Sequence, residues 1–274
     1  MSSLVVNNNL QALNAYNNLN QTDQAMTKAI SELSSGLQIQ TAADNPAGYV
    51  IAEGLQAQSN GYTQAISNAQ NGVSLIQTAS GALNQVASIL QTMNSLALSS
   101  ANGATNDTQS LNANDQEFQA LVSQINQIAD TTQFGTTKLL DGNFSNQVLQ
   151  VGAFATNQLQ LSISGASAGA LSIAGLQIST SALASQAVAS IQAAINTVAS
   201  IEANVGATQN QLNAIVANLT VGQQNLQAAY SGLVDVNFAQ ETTTYSTDQI
   251  LMQSGVAMLS QAQQSPSMVL KLLQ

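Results

Sequence analysis

The chain has 274 residues, of which only 6% are charged against a usual share of about 25%, and it carries a net charge of −10 with three basic side chains, Lys28, Lys138 and Lys271. So few cations exclude nucleic acid as a partner, because neutralising a phosphate backbone takes clustered Lys and Arg. The absence of cysteine removes disulfides and thiolate metal sites, and the absence of histidine removes the commonest general base and metal ligand.

Solubility therefore rests on Asn, Gln, Ser and Thr. The N-terminal Met1-Ser2-Ser3-Leu4-Val5-Val6-Asn7 has no basic region followed by a long apolar run and does not read as a Sec-type signal. No apolar stretch approaches the roughly 20 residues needed to cross a bilayer, so no membrane insertion is expected. From about residue 4 to 36, Leu10, Leu13, Tyr16, Leu19, Met26, Ile30 and Leu33, with Leu37 beyond, predict an amphipathic helix with a narrow apolar stripe and Gly36 as its stop. The stretch Thr41 to Gly48 then reads as a linker. Asp44 or Asn45 can cap a new helix there, and Pro46 suits its first turn.

A long helix over about 45–100 follows, with Leu55, Tyr62, Ala69, Ile76, Leu83, Leu90 and Ala97 recurring every seventh residue and Ile66, Val73, Val86 and Met93 flanking them. Gly61, Gly72 and Gly81 inside it are read as points of close helix approach. After the turn-rich 99–107, Phe118, Leu121, Ile125 and Ile128 mark a shorter helix over about 110–130, a third bundle member. Within 140–175 the period changes to two, at Leu149 to Val151 and Leu159 to Ser164, which predicts a small β-hairpin. Residues 165–187 are Gly/Ser/Ala-rich and read as a loop.

The next long helix, about 184–233, repeats the seven-residue series at Ile191, Val198, Val205, Leu212, Leu219, Leu226 and Leu233, over roughly 60 Å of helix. Its companion row, three residues earlier, mixes Val188, Ile195, Val216 and Tyr230 with the polar Glu202, Gln209 and Gln223. Two long stretches with one period bury both seams by pairing, so Leu55, Tyr62, Ile76, Leu83 and Leu90 are expected against Ile191, Val198, Val205, Leu212, Leu219 and Leu226. A last helix spans about 237–274, with Ile250, Val256, Leu259 and Leu270 among its apolar residues. The fold class is mainly α: an elongated antiparallel helical bundle or coiled coil with a small β-hairpin element and paired N- and C-terminal helices.

Chemistry has little to work with. Asp107, Asp115, Glu117 and Asp130 are the carboxylates that a catalytic pair would need, and a solvated helix face or a cap explains them better. No Asp-x-Asp-x-Asp-Gly loop marks a metal site, and no cofactor is expected. Sequons occur at Asn106, Asn143 and Asn218. The terminal helices are marginal alone in water, so their apolar residues, Leu10, Leu13, Leu33, Leu37, Ile250, Val256, Leu259 and Leu270, are assigned to helix–helix or subunit contacts, with the ends ordering on assembly. Contacts built from apolar seams and Asn/Gln hydrogen bonds do not titrate, which predicts an assembly tolerant of acid and salt.

Leu33-Ser34-Ser35-Gly36-Leu37-Gln38-Ile39 followed by Ala42-Ala43-Asp44-Asn45-Pro46-Ala47-Gly48, and near the other end Gln249 to Ala262 with Pro266 and Val269 to Leu273, resemble the terminal signatures of bacterial flagellin. Thr132 to Gly135, Lys138 to Leu140 and Val151-Gly152 resemble further landmarks of that family. The resemblance implies an inner core domain made of residues 1–43 and 234–274 and an outer rod domain of residues 44–233. Residues 140–187 leave no room for a variable outer domain, so a minimal form is implied. It also implies a non-enzymatic structural subunit of an extracellular flagellar filament, a homopolymer served by the flagellar export apparatus, a secretion chaperone and a filament cap. The rival readings are a hook–filament junction protein, which shares the terminal helices, and a non-flagellar coiled-coil assembly protein. Gln38 and Gln274 stand where the family usually has arginine. Thr92 and Asn94 lack the basic charge found in members sensed by Toll-like receptor 5, which predicts weak recognition by it.

Overall fold

The computed structural model describes residues 9–272, with side chains described for 9–264. Among them are five helices: α1 (Leu10–Ser35), α2 (Pro46–Ala101), α3 (Thr108–Thr131), α4 (Ser181–Val234) and α5 (Phe238–Leu272). Between α3 and α4 lie two antiparallel hairpins, β1 (Gln133–Phe134) with β2 (Thr137–Lys138), and β3 (Gln147–Gln150) with β4 (Gln158–Leu161). The chain divides into two compact units, Met1–Ala57 with Leu226–Gln274, and Gln58–Asn225.

Local chemistry sets the helix ends. The Asn9 side chain accepts the Ala12 N–H, and α1 stops at Gly36, whose φ of 75° is the left-handed conformation that glycine adopts at no steric cost. Asn45 caps α2 by accepting the Gly48 N–H at 2.9 Å, with Pro46 in the first position. Asp44 instead holds the turn, taking the Thr41 N–H (2.9 Å), the Thr41 hydroxyl (3.0 Å) and the Gln40 N–H (3.2 Å).

The 58–225 unit is built on α2 against α4. Leu212 touches Gly72, the Tyr62 ring touches Gly222, and the Ser181 hydroxyl donates to the Ala101 carbonyl, so the two helices run antiparallel. Ala69, Ile76, Leu83, Leu90 and Ala97 are buried on α2, and Ile191, Val198, Val205, Leu212 and Leu219 on α4, while Leu55, Tyr62 and Leu226 are half-buried. The second buried row on α2 is Ala65, Gly72, Ala79, Val86, Met93 and Ser100.

On α4 the second row differs from the expected one. Ala187, Ala194 and Ile201 are buried, whereas Val188, Ile195 and Glu202 are half-buried at its flank. A heptad seam takes positions spaced three and four apart, and the chain places alanine there, so the smaller residue wins the centre. The polar residues thus do not interrupt the seam. Gln223 donates to the Thr63 hydroxyl at 2.7 Å, while Glu202 Oε1 is buried without a hydrogen-bond partner among the described residues.

Helix α3 adds Phe118, Val122, Ile125 and Ala129 to the same core, and Asn114 donates to the Ser100 hydroxyl at 2.9 Å. The β3–β4 hairpin lies on α2, where Gly61 leaves room for Ala153 and Gly72 for Leu149 as well as Leu212. The first two glycines therefore serve the hairpin as much as the helix pair, and Gly81 faces open space.

The stretch expected as a loop over 165–187 is not a surface loop. Ala166, Ala168, Leu171, Ile173 and Ile178 are buried in the core, and α4 already begins at Ser181. Turns within it satisfy part of its backbone, as in Leu171 N–H to the Ser167 carbonyl (3.0 Å), and α3 satisfies three further groups: Ala168 N–H donates to Asn126 Oδ1 (2.9 Å), Ile178 N–H to Asp115 Oδ1 (2.7 Å), and Gln119 Nε2 to the Leu176 carbonyl (2.8 Å). Bonds from side chains spaced along another helix have no local sequence period, which is why pattern alone misreads the segment.

Replacing Leu83, fully buried in the seam, by alanine should lower stability in urea unfolding by about 2–5 kcal/mol, the range for emptying a core leucine. The exposed Val221→Ala on α4 should change it by less than about 0.5 kcal/mol.

Candidate assembly surface

The unit Met1–Ala57 with Leu226–Gln274 pairs α1 with α5. Asn9 Nδ2 donates to the Ala262 carbonyl at 2.7 Å, and Leu19 meets Gly255, so this pair is antiparallel as well. The facing residues follow the three-four rhythm. On α1 they are Ala12, Ala15, Leu19, Thr22, Met26, Ala29 and Leu33; on α5, Glu241, Tyr245, Asp248, Met252, Gly255, Leu259 and Ala262. All but the buried Ala29 stay half-buried, because a pair of helices covers only one side of each residue in its seam.

A second set of large apolar side chains lies off this track and is exposed. Leu10 is 66% exposed, Leu13 54%, Ile250 63% and Val256 53%, and Tyr16, Ile30, Phe238, Leu251 and Met258 are exposed beside them. Val50 and Ile51 add to this set from the first turns of α2. Uncovered apolar surface of this extent marks a surface that binds another protein or a membrane. No helix among the described residues is long and apolar enough to cross a membrane.

A small cluster anchors the other end of the pair. Ile39, Ala52 and Val234 are buried with Leu37, Tyr49, Tyr230 and Leu233 around them. Gln38 N–H donates to the Val234 carbonyl (2.7 Å) and Val236 N–H to the Gly36 carbonyl (2.9 Å), so the segment after α1 is stitched to the segment before α5.

The expected contact residues thus fall into two groups. Leu10, Leu13, Ile250 and Val256 are exposed, whereas Leu33 and Leu259 sit half-buried in the α1–α5 seam and Leu37 lies against the Ile39–Ala52–Val234 cluster. The side chain of Leu270 lies outside the described residues. Sequence reasoning merged the two faces of α1 into one stripe and passed over Tyr16, Ile30, Phe238, Leu251 and Met258. Separating residues on the 12-15-19-22-26-29-33 track from those off it would have found them.

Electrostatics concentrate at the same end. Lys28 reaches Glu32 at 3.6 Å and Asp44 at 4.0 Å, and Glu32 is buried. Across the seam, burial raises the Glu241 carboxyl above its ordinary value, the Glu32 charge adds to that, Lys28 opposes it, and Asp248 contributes a little more. Asp44 is held low by the Thr41 N–H and hydroxyl, with help from Gln40 and Lys28.

The four carboxylates weighed for catalysis are apart in function. Asp107 caps α3 and is held low by Ser110, Asp115 receives the Ile178 N–H, Asp130 pairs with Lys138 at 3.1 Å, and Glu117 is exposed. Among the described residues no group of three or more carboxylates, histidines or cysteines could hold a metal ion.

Terminal helices paired with each other in one unit, and a second helical unit that carries mid-chain hairpins, define a mainly α protein whose two chain ends pair. Residues 6–145 match the model of the bacterial flagellin N-terminal helical region, and residues 188–273 that of the C-terminal helical region. The chain is 41% identical to a flagellin of Halalkalibacterium halodurans, over 98% of this chain and 100% of that one. It is 36% identical to a flagellin of Bacillus subtilis, over 98% and 99%. The crystal structure of Bacillus cereus flagellin superposes with a TM-score of 0.51 at 26% identity, covering 60% of this chain and 94% of that one. The chain belongs to the bacterial flagellin family, a family of structural proteins, in a small form without variable outer domains.

Glu241 allows a signed test. Its carboxyl is raised in the folded pair, so the ionised form destabilises α1–α5 above that raised value, and the penalty fades as pH falls and is gone below the ordinary 4.5. Glu241→Gln should therefore slow amide hydrogen exchange in α1 and α5 at neutral pH, and the difference from the parent should vanish in acid.

Proposed function

We propose that this chain is the structural subunit of a bacterial flagellar filament and adds to copies of itself through the uncovered apolar rows of α1 and α5. Family membership over nearly the whole length supports this. The observation that carries it is the division of labour on the terminal helices: one track of each helix closes the intramolecular seam, while Leu10, Leu13, Tyr16, Ile250, Leu251, Val256 and Met258, off that track, are left without cover. Copies joined head to tail, by a rotation that does not close, form a helical filament.

On this reading residues 1–43 and 234–274 form the filament core and residues 44–233 the outer rod. The site of action is the extracellular flagellum. Delivery uses the flagellum-specific export channel, a cytoplasmic chaperone on the C-terminal helix and a cap at the growing tip, all inferred from the family. No catalysis is part of the role: of the four acids weighed for it, Asp107 serves as a cap, Asp115 receives a backbone N–H, Asp130 is ion-paired and Glu117 lies on an exposed helix face.

The test is growth of purified protein onto short filament seeds. The parent should elongate them. Leu13→Asp and Val256→Asp should each raise the critical concentration by at least ~10-fold, because burying a leucine or valine is worth about 1.5–3 kcal/mol and a buried unpaired carboxylate costs more. Both variants should leave urea unfolding of the 58–225 unit unchanged. Normal elongation by either would remove the assigned surface.

A further inference from the structure

The dipeptide Asn-Gly occurs three times, as Asn60-Gly61, Asn71-Gly72 and Asn102-Gly103. It is the pair in which a backbone nitrogen most easily attacks the preceding side-chain amide, because glycine offers no side chain to block the approach. The structure separates the three. Asn60 and Asn71 lie inside α2, where the following N–H is held in the helical ladder and a ψ of about −42° keeps the nitrogen away from the amide carbon. Asn102-Gly103 lies just past the last residue of α2, in an exposed turn before α3.

Three features of that turn favour the reaction. The Ser99 carbonyl, the acceptor that the Gly103 N–H would have in a continued helix, is taken by the Asn102 N–H (3.2 Å) and by Asn106 Nδ2. Asn102 Oδ1 accepts the Ala104 N–H at 3.4 Å, an Asx turn that folds the side-chain amide back over the Gly103 nitrogen. The same N–H faces the oxygen on which negative charge develops during attack.

We propose that Asn102 is a self-modifying position, which deamidates through a cyclic imide formed with the backbone nitrogen of Gly103. Hydroxide removes the Gly103 amide proton, and that nitrogen bonds to Cγ of Asn102. The Cγ–Nδ2 bond then breaks, and the side-chain nitrogen takes a proton from water and leaves as ammonia. Water opens the imide at either carbonyl, giving aspartate or isoaspartate. No oxidant or enzyme is required.

Asp141-Gly142 supplies an internal comparison. It has a similar fold-back, Asn143 N–H to Asp141 Oδ1 at 2.9 Å, but Asn143 holds its carboxyl low, and an ionised carboxylate is a poor electrophile. The consequence at Asn102 is local. Ser181, whose hydroxyl ties the start of α4 to the Ala101 carbonyl, lies against Gly103, so a new charge or the extra backbone carbon of isoaspartate enters beside that tie.

The experiment incubates the full-length protein in warm, mildly alkaline buffer and follows each site by peptide mass spectrometry and isoaspartate-specific methylation. Asn102 should convert at least ~10-fold faster than Asn60 or Asn71, equivalent to about 1.4 kcal/mol of barrier, with a rate proportional to hydroxide. In strong denaturant the three rates should converge. Gly103→Ala, whose Cβ would meet Ser181 Oγ at 3.3 Å and need a shift of a few tenths of an ångström, should slow conversion at Asn102 alone. Equal rates at the three sites in the folded protein, or conversion at Asn102 only after denaturation, would overturn the proposal.

Discussion

The antiparallel seam between α2 and α4 is the constraint on which the 58–225 unit depends. A period of seven keeps one stripe of each helix facing the other, and here each stripe mixes large residues with alanines. Leu83, Leu90, Val198 and Leu212 supply apolar area, at about 1.5–3 kcal/mol for each side chain buried. Ala65, Ala79, Ala187 and Ala194 let the backbones approach. Gly72 then does two jobs, admitting Leu212 from α4 and Leu149 from the hairpin. With the seam in place, α3 and the 163–178 segment close the core through Phe118, Ile125, Ile173 and Ile178.

The α1–α5 pair uses the same periodicity to a different end. Its track mixes Ala12, Ala15, Thr22, Gly255 and Ala262 with Leu19, Met26, Leu33, Met252 and Leu259, carries Glu241 and Asp248 as well, and stays half-buried along nearly all its length. A second set of large apolar residues, Leu10, Leu13, Tyr16, Ile250, Leu251, Val256 and Met258, lies off the track and is exposed. The pair thus presents apolar surface beyond what its own contact covers, in a family that self-assembles into a filament. Low charge shapes how the helices stay polar. Along the start of α5, Thr242, Thr243, Thr244, Ser246 and Thr247 each donate a hydroxyl to the carbonyl four residues earlier, satisfying themselves without ion pairs.

Much of the fold was legible in the sequence, for identifiable reasons. Period-seven series from Leu55 to Ala97 and from Ile191 to Leu233 announce two long partners, and Gly36, Asn45 and Pro46 announce the break between α1 and α2. What stayed hidden is what has no period. The buried 163–178 segment is held by Asn126, Asp115 and Gln119 from α3, and β1–β2 turns on Gly135 at a φ of 64° with only two residues per strand. Of the candidate surface, part was legible as exposed apolar positions. Leu10, Leu13, Ile250 and Val256 were read as contact residues, but Tyr16, Leu251 and Met258 were not. A single stripe at three-four spacing cannot say which of its residues a partner helix will cover.

The most direct measurement is a helical reconstruction of the filament at a resolution that shows side chains. The account predicts Leu13, Tyr16, Ile250 and Val256 buried between neighbouring subunits, with Leu19 and Leu259 still paired inside one subunit. A filament in which those four residues face solvent, or in which α1 and α5 of one chain have separated, would contradict it.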